Sequence, residues 1–175
     1  MKHIIFASGL ILAAALSRLI PHPPNFTPIA AIALSSAVYL DKRYAFIIPL
    51  IAMLVSDYFI GFHSGMVWVY GCFALIGLIG IYLRSHKKPL IIAGATLVSS
   101  VLFFVVTNFA VWFMGSMYPK TWEGLIACYV AAIPFFQNTV AGDLMYTGAL
   151  FGLFELGARW LKIEQTQVAT SGLPK

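Results

Sequence analysis

Residues 90–114 form a run of 25 residues without one charged side chain, LIIAGATLVSSVLFFVVTNFAVWFM. A transmembrane helix needs about 17–25 predominantly apolar residues, so this run is long enough to cross a bilayer. The chain as a whole is 61% hydrophobic and only 10% charged, whereas a soluble domain has about 25% charged residues. Too few polar side chains remain to cover a surface that faces water. The sequence therefore predicts an all-α integral membrane protein.

Five further apolar runs are expected to complete a bundle of six transmembrane helices: residues 4–20, 28–40, 44–62, 66–83 and 138–161. The second run has 13 residues, which is short for a span. Thr27 is expected as its N-cap and Pro28 as its first helical residue. Residues 122–133 are expected to form a separate short helix over a pocket, and Pro134 to end that helix.

These runs make one six-helix membrane domain of residues 1–162, and residues 163–175 are expected to be a polar, disordered cytoplasmic tail. The positive-inside rule predicts that both termini lie in the cytoplasm, because nine of the eleven Lys and Arg residues then fall inside. The exceptions are Arg18 and Lys120. This distribution explains the net charge of +5 as a topology signal, and no nucleic-acid partner is expected.

In this topology, polar side chains of separate helices gather near the outer face. Such an asymmetry predicts an outward-facing ligand pocket, since a channel or proton relay would thread polar groups across the full membrane. Arg18 either snorkels to the outer headgroups or pairs with Asp57 or Asp143. The aromatic side chains at this level could instead form an interfacial belt. The candidate substrate-binding residues are Asn25, Asp57, Trp68, Tyr70, Cys72, Phe73, Asn108, Trp112, Asn138 and Asp143.

Four segments carry a resemblance to a known family: SRLIPHPPNFTPIAAIAL (17–34), PLIAMLVSDYFIGFH (49–63), TNFAVW (107–112) and YPKTWEGLIACYVAAIPFFQNTVAGDL (118–144). They are similar to small bacterial membrane proteins related to the substrate-binding S components of energy-coupling-factor (ECF) transporters. The characterised relatives are the solitary cobalamin carriers of the BtuM type.

The resemblance implies an S-component-like bundle in the bacterial cytoplasmic (inner) membrane that takes up a vitamin. Cobalamin or a related corrinoid is the expected substrate, with its cobalt bound by the Cys72 thiolate, a soft metal ligand. No cofactor of the protein's own is expected.

The resemblance leaves the energy source open. Classical S components carry an Ala-xxx-Ala patch on their first helix for the coupling subunit, and the first run here lacks one. The partner is therefore either an ECF energising module, with its coupling subunit and ATPases, or none. The chain has no Walker A motif and is not expected to hydrolyse ATP itself.

Two other functions compete with the carrier. One is a membrane enzyme that uses Cys72 to remove the upper ligand of a corrinoid. The other is a structural or assembly subunit without a small ligand, in which the buried polar residues only hold helices together.

Overall fold

The computed structural model describes residues 9, 12–13, 15–40, 42–62 and 64–171. The elements assigned in these residues are all helical. They are a 3₁₀-helix at Ser17–Leu19 and the α-helices α1 (Ile29–Tyr39), α2 (Lys42–Ile60), α3 (Met66–Leu83), α4 (Pro89–Met114) and α5 (Trp122–Ser171).

Three helices in the described part of the chain are long and apolar enough to cross a membrane: α3, α4 and the Trp122–Trp160 part of α5. Their outer surfaces expose large apolar side chains, including Val67, Leu90 and Trp160. Apolar surface on this scale suits lipid rather than water. The chain is therefore a multi-pass helical membrane protein.

The structure does not provide six full-length spans. With 11 residues, α1 is about 16 Å long at 1.5 Å per residue, half of the roughly 30 Å hydrocarbon core. Helix α2 has 19 residues, and within its described part Pro49–Ile60 form a shorter apolar helix. Of the 17 residues of the predicted first run, 4–20, eight lie outside the described residues.

Helix α1 forms the centre of the bundle, since all of its residues except Tyr39 are buried. A helix that is apolar on every side must be enclosed by others. Helix α3 comes closest at Gly80, where an added Cβ would lie 2.6 Å from the Cβ of Ala37 and 2.9 Å from the Leu34 carbonyl oxygen. Small side chains allow the two helices to pack this closely. The helix begins at Ile29 with Pro28 as its N-cap and no side-chain cap, so the predicted Thr27 cap is wrong.

Helix α5 corrects the prediction of two separate helices. Pro134 lies inside it, and the helix packs antiparallel along α4 on both sides of this proline. Tyr129 donates to the Val105 carbonyl oxygen at 2.7 Å, and further along Ser100 donates to Asp143 at 2.7 Å. Because α4 packs against α5 on both sides of Pro134, the helix continues past this residue although proline cannot donate one of the backbone hydrogen bonds. The backbone is helical as far as Ser171, within the predicted tail.

One end of the bundle carries the basic loop between α3 and α4. Arg84 donates to the backbone carbonyls of Ala37 and Leu40, which closes the C-terminus of α1. Tyr39 donates to Glu155 at 2.8 Å. The candidate site lies towards the opposite end.

Candidate ligand-binding site

A cavity of about 350 Å³ lies between the connection that precedes α1 and helices α1 to α5. This volume is at the lower end of the range of about 300–1,000 Å³ that is usual for small-molecule sites. Four phenyl rings line it: Phe73, Phe103, Phe104 and Phe135. Polar side chains from different parts of the chain line it as well: Arg18, Asn25, Thr27, Thr107, Asn108, Thr139 and Asp143. An apolar cavity with a few convergent polar groups is what a ligand site requires.

The connection that precedes α1 supplies Asn25 to the cavity. Asn25 has a φ of 64°, in the left-handed region that asparagine tolerates better than most residues. Asn138 on α5 donates to the Pro24 carbonyl oxygen at 3.1 Å. Beside it, Gly142 lies against Phe26, where an added Cβ would be 3.1 Å from the Phe26 Cα atom. Helix α5 therefore holds this connection in place.

Arg18 belongs to a buried polar cluster beside the cavity. Its Nη1 atom lies 3.1 Å from Oδ1 of Asp57, and the two side chains are 14% and 4% exposed. Tyr70 on α3 donates to Oδ2 of the same carboxylate at 2.9 Å, and Arg18 also donates to Ser56. Both oxygens of Asp57 are thus occupied. Arg18 pairs with Asp57, one of the alternatives that the sequence left open.

Helix α4 presents Thr107 and Asn108 to the cavity. The Asn108 amide nitrogen donates to the Phe104 carbonyl oxygen at 2.8 Å. The amide keeps a second N–H and its oxygen, which has no partner among the described residues. The Thr107 hydroxyl donates to Phe103 of its own helix at 2.7 Å, so its oxygen can still accept a hydrogen bond. These groups can recognise both donors and acceptors on a ligand.

Asp143 on α5 is the second charged residue that lines the cavity. It is 4% exposed, and its Oδ2 atom accepts from Ser100 at 2.7 Å. No Lys, Arg or His in the described part of the chain forms an ion pair with it.

The ten predicted binding residues fall into three groups. Asn25, Phe73, Asn108 and Asp143 line the cavity. Asp57, Tyr70 and Asn138 do not line it but hold Arg18 and the Pro24 connection, as described above. The remaining three, Trp68, Cys72 and Trp112, lie elsewhere.

Trp68 lines a second cavity, of about 400 Å³, between the start of α3 and the end of α4. Its indole nitrogen donates to the Met114 sulfur at 3.0 Å. Val69, Thr107 and Val111 line both cavities. Trp112 donates to the Pro119 carbonyl oxygen at 2.9 Å in the loop before α5.

Cys72 is 1% exposed and buried on α3, and it is not among the residues that line either cavity. Its neighbour Phe73 lines the first cavity instead. Within the residues that the structure describes, no three His, Cys, Asp or Glu side chains come together in a group that could hold a metal ion.

The sequence analysis missed three of the phenyl rings, Phe103, Phe104 and Phe135, and the hydroxyl of Thr139. A phenylalanine in an apolar run gives no signal of whether it faces lipid or a cavity. Thr107 could have been predicted as a lining residue, because it precedes Asn108 and lies at the same level of α4.

Residues 1–166 match the model of a protein family whose description is "Family of unknown function (DUF6580)". No curated protein and no solved structure matches the chain.

Proposed function

The chain belongs to the family of unknown function DUF6580, and we propose from its cavity that it is a membrane protein that binds and takes up a small water-soluble molecule. One observation carries the proposal: amide, hydroxyl and carboxylate groups from separate segments converge on a cavity walled by phenyl rings. Polar groups are expensive inside a membrane protein and mark sites of use or of pairing. Several of these groups keep unused hydrogen-bonding capacity.

The proposed ligand is a vitamin or a vitamin precursor, as the resemblance to S components of ECF transporters implies. In the proposed topology the termini are cytoplasmic, the cavity faces the outside, and the membrane is the inner membrane of a bacterium. The proposed topology keeps the six predicted membrane segments, and the second of them, α1, is enclosed by the other helices. The basic side chains Arg84, Lys87 and Lys88 at the opposite end of the bundle support this orientation. An ECF energising module would serve as partner, unless the carrier is solitary.

The ligand that we favour is smaller than a corrinoid. Cavities of about 300–1,000 Å³ hold drug-sized ligands, and a corrinoid is larger than these, whereas this cavity measures about 350 Å³. Cobalt ligation also needs an accessible thiolate, and Cys72 is 1% exposed. Cobalamin is therefore tested only as one of several vitamins in the binding experiment below.

The competing function, a structural subunit without a ligand, explains only part of the site. It suits Asp57, whose two oxygens are both taken by Arg18 and Tyr70. It does not explain Asn108 or Asp143, which line a cavity and each have an oxygen without a partner among the described residues.

Binding of a panel of water-soluble vitamins, their precursors and cobalamin to the purified protein tests the proposal. Thermal stabilisation identifies ligands, and calorimetry gives their stoichiometry. We expect one molecule per protein, and about fivefold weaker binding in Asn108→Ala, because one hydrogen bond contributes about 1 kcal/mol. Gln137→Ala removes an exposed amide on α5 and should bind like wild type. If no member of the panel binds, or if both variants behave alike, the cavity is not a binding site of this kind.

A further inference from the structure

The cavity contains a buried carboxyl group, Asp143, that has no cation beside it among the described residues. Asp143 is 4% exposed, and its one hydrogen bond among the described residues comes from the neutral hydroxyl of Ser100, at 2.7 Å. A buried carboxylate without a cation is costly, and proteins normally pair such groups. Asp143 is one of the residues that line the cavity.

The other charged side chain of the lining cannot balance Asp143. Arg18 is paired with Asp57 at 3.1 Å, and the Asp57 carboxylate lies outside the lining. Arg18 and Asp57 together contribute no net charge. Asp143 is therefore the one charged-type side chain of the lining that has no partner of opposite charge among the described residues.

The position of Asp143 also matters. Its partner Ser100 precedes Asn108 by eight residues on α4, which is about 12 Å along a helix. Asp143 thus forms the floor of the cavity, well below Asn108. Phe103 and Phe104 lie about one turn above Ser100 on the same helix, and both line the cavity.

Phenyl rings next to a carboxylate are suited to an organic cation. The face of an aromatic ring attracts a positive charge, and more strongly where water is excluded. A bare metal ion would need several oxygen ligands, whereas Phe73 and Phe135 supply carbon to the remaining walls. We propose that the ligand is a small organic cation with its positive nitrogen at Asp143 and its polar end towards Asn108. This inference rests on the proposed function and names the class of ligand for the same cavity.

Matched pairs of charged and uncharged probes test the proposal on the full-length protein in detergent. The pairs are choline with its uncharged carbon isostere neohexyl alcohol, and benzylamine with benzyl alcohol. The cationic and uncharged members of the vitamin panel are added, with sodium chloride as a separate arm. We expect cations to bind and to stabilise the protein, and their uncharged partners to fail.

Two variants assign the effect to the carboxylate. Asp143→Asn keeps a hydrogen-bond acceptor for Ser100 but removes the charge, and should weaken binding of the cation at least about thirtyfold. Ser100→Ala keeps the charge and should still prefer the cation over its uncharged isostere. The second variant keeps the test decisive if the first does not fold.

Each other outcome overturns the proposal. Equal binding of charged and uncharged probes, or unchanged binding in Asp143→Asn, would show that the site does not select a cation. Stabilisation by sodium alone that is lost in Asp143→Asn would assign the site to a metal ion. An uncharged or anionic vitamin bound in the cavity would overturn the cation and leave the proposed function intact. A complete failure of all probes and all vitamins would overturn both.

Discussion

Replacing Asp57 by Asn should destabilise the protein strongly, because it leaves the Arg18 guanidinium buried without its counter-charge. The two side chains are 4% and 14% exposed and lie 3.1 Å apart. Removing one partner of a buried ion pair costs about 3–5 kcal/mol. Since Arg18 keeps some exposure, we expect the lower end, about 3 kcal/mol. For a chain of this length that corresponds to a fall in Tm of about 6–12 °C.

The assay is thermal unfolding in detergent followed by tryptophan fluorescence, arranged as a double-mutant cycle. Arg18→Met should be similarly costly, because it leaves the buried Asp57 carboxylate without its cation. The double variant Arg18→Met with Asp57→Asn should lose much less than the sum of the two single variants, since no buried charge is left unpaired. Glu123→Gln removes an exposed carboxylate from the first turn of α5 and should cost no more than about 1 kcal/mol. A strictly additive cycle, or an Asp57→Asn variant as stable as Glu123→Gln, would refute the reasoning.

Two further predictions concern the faces of α3. Cys72→Ser should leave ligand affinity within about twofold, because Cys72 is 1% exposed and does not line the cavity. The absorbance spectrum of added cobalamin should also be the same with wild type and with the variant. A spectrum that is shifted by wild type but not by the variant would show instead that Cys72 binds the cobalt. Gly80→Ala should lower stability by about 1–3 kcal/mol through overpacking, since its Cβ would lie 2.6 Å from that of Ala37. Gly71→Ala on the same helix meets no atom within 4 Å and should be neutral or stabilising by up to about 1 kcal/mol; equal loss in both variants would contradict the close approach of α1 and α3.

The sequence predicted helix bounds best where an apolar run is flanked by residues typical of turns and loops. The predicted run 66–83 coincides with α3, and run 90–114 differs from α4 by one residue. A glycine-containing turn precedes the first run and a basic loop separates the two. These local signals do not depend on how the helices pack.

Predictions failed where packing decides the outcome. Pro134 normally breaks a helix, yet α5 passes through it because α4 supports the helix on both sides. The short run 28–40 gave no signal that α1 would be enclosed at the centre of the bundle.

Helix rotation decides which side chains reach the cavity, and sequence alone does not fix it. Adjacent residues point about 100° apart around a helix of 3.6 residues per turn. Phe73 therefore lines the cavity while Cys72 is buried elsewhere, although the resemblance drew attention to the cysteine. In the same way, Asp57 is turned towards Arg18 and Tyr70, and Asp143 towards the cavity.

The most direct test of the account is native mass spectrometry of the protein released from detergent with its ligand bound. Ala132 is buried in the cavity lining, whereas its neighbour Ala131 is exposed on the outside of α5. We predict one bound small molecule on wild type and on Ala131→Phe, and none on Ala132→Phe, whose ring would fill the cavity. A ligand that is retained by Ala132→Phe, or lost equally from both variants, would contradict the claim that this cavity is the binding site.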